Sequence, residues 1–338
     1  MEQRLQVVKL RNNAMKKLAT LFTVGILAFG SLNVMAREQS ANMDSLREMM
    51  SKMPRVNTQG VTYKWLDIPY ATQSNAQKLD IYLPGEGKAP YPVIIAIHGG
   101  GFIFGDKGTS EVDAPMTGLK RGYAVVSINY RLAGEATFPA AVYDVKAAVR
   151  FIKANAEKYG LDPHRVVAWG DSAGANLASM LGTTAGIPVL EDLSLGNAKQ
   201  SSRVNAVVSF FGPTDFSAMD AQFKESGKKS LQIHNAADSG ESQYMGMQIS
   251  KIPHLVRFAN PQSYISKDSV PFFLMNGSED PIVPTQQSEN FAKALQAVIG
   301  EDKVTYVQLQ GAGHGTAEFE AKENLDQVFQ FLEKHLKR

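Results

Sequence analysis

The stretch Arg165-Val166-Val167-Ala168-Trp169-Gly170-Asp171-Ser172-Ala173-Gly174 constrains this chain more than any other. An apolar strand runs directly into Gly-x-Ser-x-Gly, and a helix of small residues follows from Ala175 to Leu181. A serine on so sharp a strand-to-helix turn projects its hydroxyl above a sheet, beside the free N–H groups of a helix start. Flanking glycines suit a turn in which a Cβ would meet neighbouring backbone. The five-residue pattern alone occurs in ordinary loops. The strand before it and the helix after it make Ser172 a candidate nucleophile.

A serine hydroxyl attacks poorly near neutrality, so the chemistry demands a base, an orienting acid and donors for an oxyanion. Tyr91 to Ile97 reads as a buried strand that ends in His98-Gly99-Gly100-Gly101-Phe102. Three glycines after a strand let backbone N–H groups face a developing negative oxygen. Gly100, Gly101 and Ala173 are the expected donors; the bland alternative is a flexible turn.

The base follows by elimination among six histidines. His98 belongs to the glycine turn, and His164 lies at the wrong end of the nucleophile strand. His335 sits in the last turns of a terminal helix, where a cation suits the dipole. His234 and His254 fall in an irregular region. His314 remains, in Gly311-Ala312-Gly313-His314-Gly315, after the alternating strand Lys303 to Leu309. The acid is expected between serine and histidine, after the strand Pro271 to Gly277. Asp280 is preferred because Pro281 and Pro284 stiffen its loop. Its neighbour Glu279, and Asp215 after the strand Val204 to Phe211, are the alternatives.

The N-terminus reads as an export signal. Lys16-Lys17 precede an apolar run from Leu18 to Gly30, and Val34-Met35-Ala36 offers small residues for cleavage before Arg37. That run is short for a membrane span, which needs about 20 residues. A cleaved secretory signal over 1–36, with delivery to the periplasm or medium, is therefore expected; an uncleaved anchor is the alternative. The absence of cysteine excludes disulfides, thiol chemistry and a lipid-modified N-terminal cysteine. Net charge is +2, but the first 36 residues carry five cations and one acid, leaving −2 for the remainder. That balance offers no basic patch for nucleic acid. No metal-ligand spacing occurs, so neither metal nor cofactor is expected.

Residues 37–60 read as a polar, Met-rich extension with a short helix from Met43 to Met53. One domain is expected over 61–338. Strands at Val61–Tyr70 and Gln77–Leu83 open an antiparallel edge, and those at Tyr91–Ile97 and Tyr123–Tyr130 follow. A helix is expected over Pro139–Lys158, and others over Thr285–Val298 and Ala317–Leu336. Alternating strands and helices imply a mostly parallel α/β sheet covered on both faces. Residues 217–267 break that alternation and are expected to form a cap or lid over the acyl pocket, the alternative being a surface insertion.

The chain resembles α/β-hydrolases of the hormone-sensitive-lipase-like esterase group, and within it the bacterial feruloyl/acetyl-xylan esterase branch. The residues that carry the resemblance begin with His98-Gly99-Gly100-Gly101-Phe102, Gly105-Asp106-Lys107, Asn129-Tyr130-Arg131 and Tyr159-Gly160-Leu161-Asp162-Pro163. They continue with Trp169 to Gly174, Phe210 to Asp215, Asn276 to Pro284 and Gly311 to Gly315. The resemblance implies the α/β-hydrolase fold and hydrolysis of acetyl or feruloyl esters on plant polysaccharides. It departs at Ala175, where the group usually has a second glycine; added bulk near the serine is the expected effect. Phe102, Phe104, Tyr130, Phe138 and Tyr244 are candidate walls of a substrate pocket. Asp106 and Arg131 are candidates to grip a sugar or to pair with each other. A peptidase of this fold would need a large gating domain for which the chain has no room. A lipase would need an apolar lid, and a non-catalytic binding module would be expected to have lost the serine or histidine. Small ester or acylated saccharide substrates are the expected partners.

Overall fold

The computed structural model describes residue 48 and residues 52–336. The chain divides into a unit of residues 1–48 and a unit of residues 49–338. The export signal and nearly all of the expected Met43–Met53 helix lie outside the described residues.

Eight strands form one sheet in the order β1-β2-β4-β3-β5-β6-β7-β8. They are β1 (Lys64–Pro69), β2 (Lys78–Tyr82), β3 (Tyr91–Ile97), β4 (Ala124–Ile128), β5 (Leu161–Asp171), β6 (Ala206–Phe210), β7 (Phe272–Gly277) and β8 (Val304–Leu309). β1 and β2 run antiparallel, and every pairing from β4 through β8 is parallel. β1 is shorter than the sequence suggested. Asp67 takes a positive φ of 55° and bulges the strand, and its carboxylate reaches Lys107 at 2.9 Å.

The parallel strands are apolar throughout because helices cover both faces. The longer helices are α1 (Ala140–Ala154), α2 (Ala173–Thr183), α3 (Met219–Ser226), α4 (Gly240–Met245), α5 (Gln286–Ile299) and α6 (Lys322–His335). On one face Ile95, Val126 and Ala168 pack with Val145, Val149 and Leu177. On the other, Ile94, Val125, Val167 and Trp169 meet Val328, Phe329 and Leu332 of α6. The helix expected over 139–158 breaks at Asn155, whose side-chain amide donates to the Phe151 carbonyl, and resumes for one turn at Ala156–Tyr159.

Residues 217–267, polar in composition, still have an apolar interior. Met219, Phe223, Tyr244, Ile249 and Val256 are all buried. The segment is fastened on several sides. Leu231 N–H donates to the Pro281 carbonyl at 2.9 Å, and Asn176 on α2 donates to the carbonyls of Pro213 and Ala259. Gly240 sits against the glycine turn so closely that a Cβ there would lie 2.6 Å from the Gly101 oxygen.

Residues 54–57, assigned by the sequence reading to the extension, also belong to the folded unit. Val56 N–H donates to Gly108 O, Ser110 N–H donates to Pro54 O, and Arg55 pairs with Asp106 at 3.0 Å.

Candidate active site

All the candidate site loops leave the C-terminal ends of parallel strands, the edge where such sheets place their chemistry. Ser172 follows β5 directly, with φ 52° and ψ −119°, and starts α2. This left-handed backbone is strained for a serine and is held by Ser172 N–H donating to Phe210 O at 2.9 Å. The flanking glycines are enforced by contact. A Cβ on Gly170 would lie 2.2 Å from Gly174 O, and one on Gly174 would lie 2.0 Å from Ile97 O.

The loop after β8 brings His314 to the serine, with Nε2 3.0 Å from Ser172 Oγ. Its Nδ1 lies 2.7 Å from Asp280 Oδ2, in the loop after β7. Asp280 is 1% exposed, and its second oxygen accepts the N–H groups of Ile282 and Val283, each at 2.8 Å. Both carboxylate oxygens are therefore directed, one at the ring and one at its own loop. Phe211 packs edge-on against the His314 ring at 4.5 Å. Nδ1–H toward the carboxylate leaves Nε2 free to accept the serine proton, the arrangement a hydroxyl nucleophile requires.

The other acids are engaged elsewhere. Asp215 accepts Ser217 N–H and the Asn260 amide, capping the turn after β6. Glu279 faces outward and pairs with Lys228. Of the other histidines, His98 is buried, stacked on Tyr130 at 4.5 Å and pushed down to about 4 by burial. His234 is buried in the insertion against Glu241 at 2.9 Å. Burial works against its charge, but the Glu241 carboxylate holds its pKa above the usual imidazole range.

Gly100 and Gly101 adopt φ of 92° and 59°, and Ile103 and Phe104 N–H close the turn onto Gly100 O. The N–H groups of Gly100, Gly101 and Ala173 find no acceptor among the described residues. They are the three donors that the sequence marks as candidates for an oxyanion site.

Two of the expected pocket residues are enclosed in the fold. Phe102 and Tyr130 are 2% and 1% exposed and are spent on internal contacts. Phe102 stacks on Tyr244 at 4.0 Å, and the Tyr130 hydroxyl donates to the carbonyls of His98 and Gly99. Asp106 binds Arg55, the Asn129 amide and Gly108 N–H, whereas Arg131 pairs with Asp144 rather than with Asp106. Tyr130, through its hydroxyl, braces the start of the glycine turn. Ala175 is corrected as well. Its methyl group is fully buried and packs against Gly212, whose own Cβ would lie 2.6 Å from it.

One group escaped the sequence reading. Glu111 follows the glycine turn in a short helical turn and bends back beneath it. A Cβ on Gly99 would lie 3.0 Å from Glu111 Oε1 and 3.3 Å from Ser172 Cβ. Burial pushes its carboxyl up to about 7, against the nearby His314 ring and the Gly99 N–H it accepts. Asp171, beside the serine, is fully enclosed and raised well above the carboxylate range, first by burial and then by Glu111. The only sequence sign was an acid within a run of small and apolar residues, which any surface turn could carry.

The strand order, the strained serine turn and the His314 relay define an α/β-hydrolase. The BD-FAE family profile matches residues 79–295, and the chain belongs to that family. It is 30% identical over 242 residues to esterase LipC of Mycobacterium tuberculosis, a match covering 71% of this chain and 57% of LipC. It is likewise 30% identical to esterase LipQ of that organism, covering 73% and 56%. The chain thus spans little more than half the length of these curated relatives. Among solved structures it superposes with TM-score 0.76 and 28% identity on a truncated carbohydrate esterase from gut microbiota, covering 84% of this chain and all of that one. A bifunctional GH43-CE protein of Bacteroides eggerthii gives 0.72 and 34%, covering 81% and 35%.

Proposed function

We propose that the protein is a serine carboxylesterase that removes short acyl groups from carbohydrate esters. One observation carries the reading: His314 stands between Ser172 Oγ and Asp280, at 3.0 and 2.7 Å. Ser172 attacks the ester carbonyl as His314 Nε2 takes its proton. Gly100, Gly101 and Ala173 N–H stabilise the oxyanion, and Asp280 holds the imidazolium. The proton then passes to the leaving alkoxide. Water, activated by the same histidine, releases the acid.

The carbohydrate alcohol is supported by the likeness to the truncated carbohydrate esterase from gut microbiota. A short acyl group is favoured by the Phe102–Tyr244 stack and the adjoining Phe216, which fill the space beside the glycine turn with packed rings. Export is part of the proposal: the Lys16-Lys17 pair, the apolar run and Val34-Met35-Ala36 support removal of residues 1–36 outside the cytoplasm.

The test is hydrolysis of nitrophenyl acetate, butyrate and octanoate, with acetylated xylan and methyl ferulate alongside, by wild type and Ser172→Ala. Acetate turnover and release of acetate from xylan, both lost in the variant, are expected. Turnover equal in the two proteins would refute the nucleophile. Preference for methyl ferulate would refute the short acyl group.

A further inference from the structure

We propose that Glu111 is a positioning residue for the Ser172–His314 pair, its carboxylate fixing the base of the glycine turn and favouring a positive imidazole. The inference rests on the esterase reading above. Its grounds are geometric. Glu111 Oε1, Asp171 O and Ser172 Cβ converge on the point that a Gly99 side chain would occupy, at 3.0, 3.0 and 3.3 Å, so even a methyl group there would press on all three. Glu111 accepts the Gly99 N–H, which leads straight into the turn that carries Gly100 and Gly101. Its other oxygen, Oε2, is buried without a partner, as is Asp171 Oδ1.

Charge supplies the second part. The groups facing Glu111 are His314, the Asp171 carboxyl, the Tyr130 hydroxyl and the Thr109 hydroxyl, with Glu320 beyond Asp171. Burial, and then Glu111, push the Asp171 carboxyl well above the carboxylate range, and among these groups His314 is the one titratable partner that can carry a charge opposite to Glu111. The proton that leaves Ser172 resides on His314 during acylation, and an anionic Glu111 stabilises that state. No bond to Glu111 forms or breaks. Because its carboxyl titrates near 7, this assistance is lost in mild acid while the Gly99 hydrogen bond persists through the neutral carboxyl.

The experiment compares wild type, Glu111→Gln and Ser172→Ala on nitrophenyl acetate from about pH 5 to about pH 9. Glutamine keeps an acceptor for Gly99 N–H and removes the charge. The expected result at the alkaline end is a kcat about tenfold lower, one pKa unit of lost imidazolium support, with KM unchanged. The ionisation near 7 should vanish from the profile. A Glu111→Gln profile that overlays wild type while Ser172→Ala is dead overturns this proposal and leaves the esterase reading intact. Turnover that survives in Ser172→Ala overturns both. A second measurement needs no Glu111 variant: stopped-flow acylation of wild-type protein over the same range should follow two ionisations. A single ionisation overturns the role.

Discussion

Glu279 and Asp280 are adjacent in sequence and opposite in environment. Asp280 is buried 2.7 Å from the His314 ring, whereas Glu279 is 60% exposed at its side chain and held by Lys228. Pro281 turns the chain between them and the α5 helix, so only one of the two can face the imidazole. Asp280→Asn is expected to lower kcat by about 10⁴-fold, because an amide no longer fixes the productive tautomer. Glu279→Gln and Asp215→Asn should stay within about threefold, since neither residue reaches the ring. Steady-state kinetics on a nitrophenyl ester separates the three.

Tyr130 supports the turn from below. Its hydroxyl donates between His98 O at 3.0 Å and Gly99 O at 3.2 Å, and its removal costs the His98 carbonyl this donor, whereas Gly99 O also faces His98 Nδ1. Tyr130→Phe should cost about 1–2 kcal/mol in stability. It should also lower kcat by roughly tenfold, because displaced oxyanion donors lose transition-state stabilisation. Unaltered kcat in a stably folded variant would show that the glycine turn holds itself.

Ala175→Gly tests the direction of a methyl group. The side chain faces Gly212, so its removal should leave acyl-length preference unchanged and destabilise the protein by about 1 kcal/mol, the usual cost of glycine in a helix. A shift toward longer acyl chains would place the methyl group in the substrate path.

Two buried groups pull stability in opposite directions with pH. Burial raises Glu111 from 4.5 to about 7, so the folded state holds a proton that the unfolded chain has released. Stability from this group falls as pH rises through that window, by on the order of 3 kcal/mol. Glu111→Gln should therefore be more stable than wild type at about pH 8 and equal to it below about pH 4, where the carboxyl is neutral in both states. His98, lowered from 6.5 to about 4, behaves inversely, and its contribution is lost as pH falls across that range. Urea unfolding at several pH values measures both. A Glu111→Gln variant less stable at alkaline pH would contradict the sign.

The strands and the relay were legible because their signals are local. Tyr91–Ile97 is an unbroken apolar run bounded by Pro90 and a glycine turn, and its limits in the fold are the same. Ser172 and His314 carry their glycines with them, and the close contacts at Gly170 and Gly174 explain why. The roles of Phe102, Tyr130 and Asp106 were not legible, because an aromatic ring near a glycine turn reads alike whether it faces a ligand or a core. Only the partners decide, and Tyr244 lies far along the chain from Phe102. Glu111 was hidden for a related reason: its environment comes from β5 and the loop after β8, neither of which its neighbours in sequence announce. The polar surface composition of residues 217–267 likewise masked a core of well-spaced apolar residues.

The short pairing of Arg55 with Thr109 sets a limit on how far the front of the chain can be trimmed. Among the described residues every strand begins after residue 63, so a version starting at Val61 would retain the eight-stranded sheet. It would nevertheless release Asp106, Gly108, Ser110 and Asp113 from the backbone and side chain of residues 54–57, and this is the segment that leads into Glu111. Proteolytic maturation anywhere upstream of Pro54 leaves that brace in place. A cut a few residues later would yield a folded protein with a slackened active-site floor.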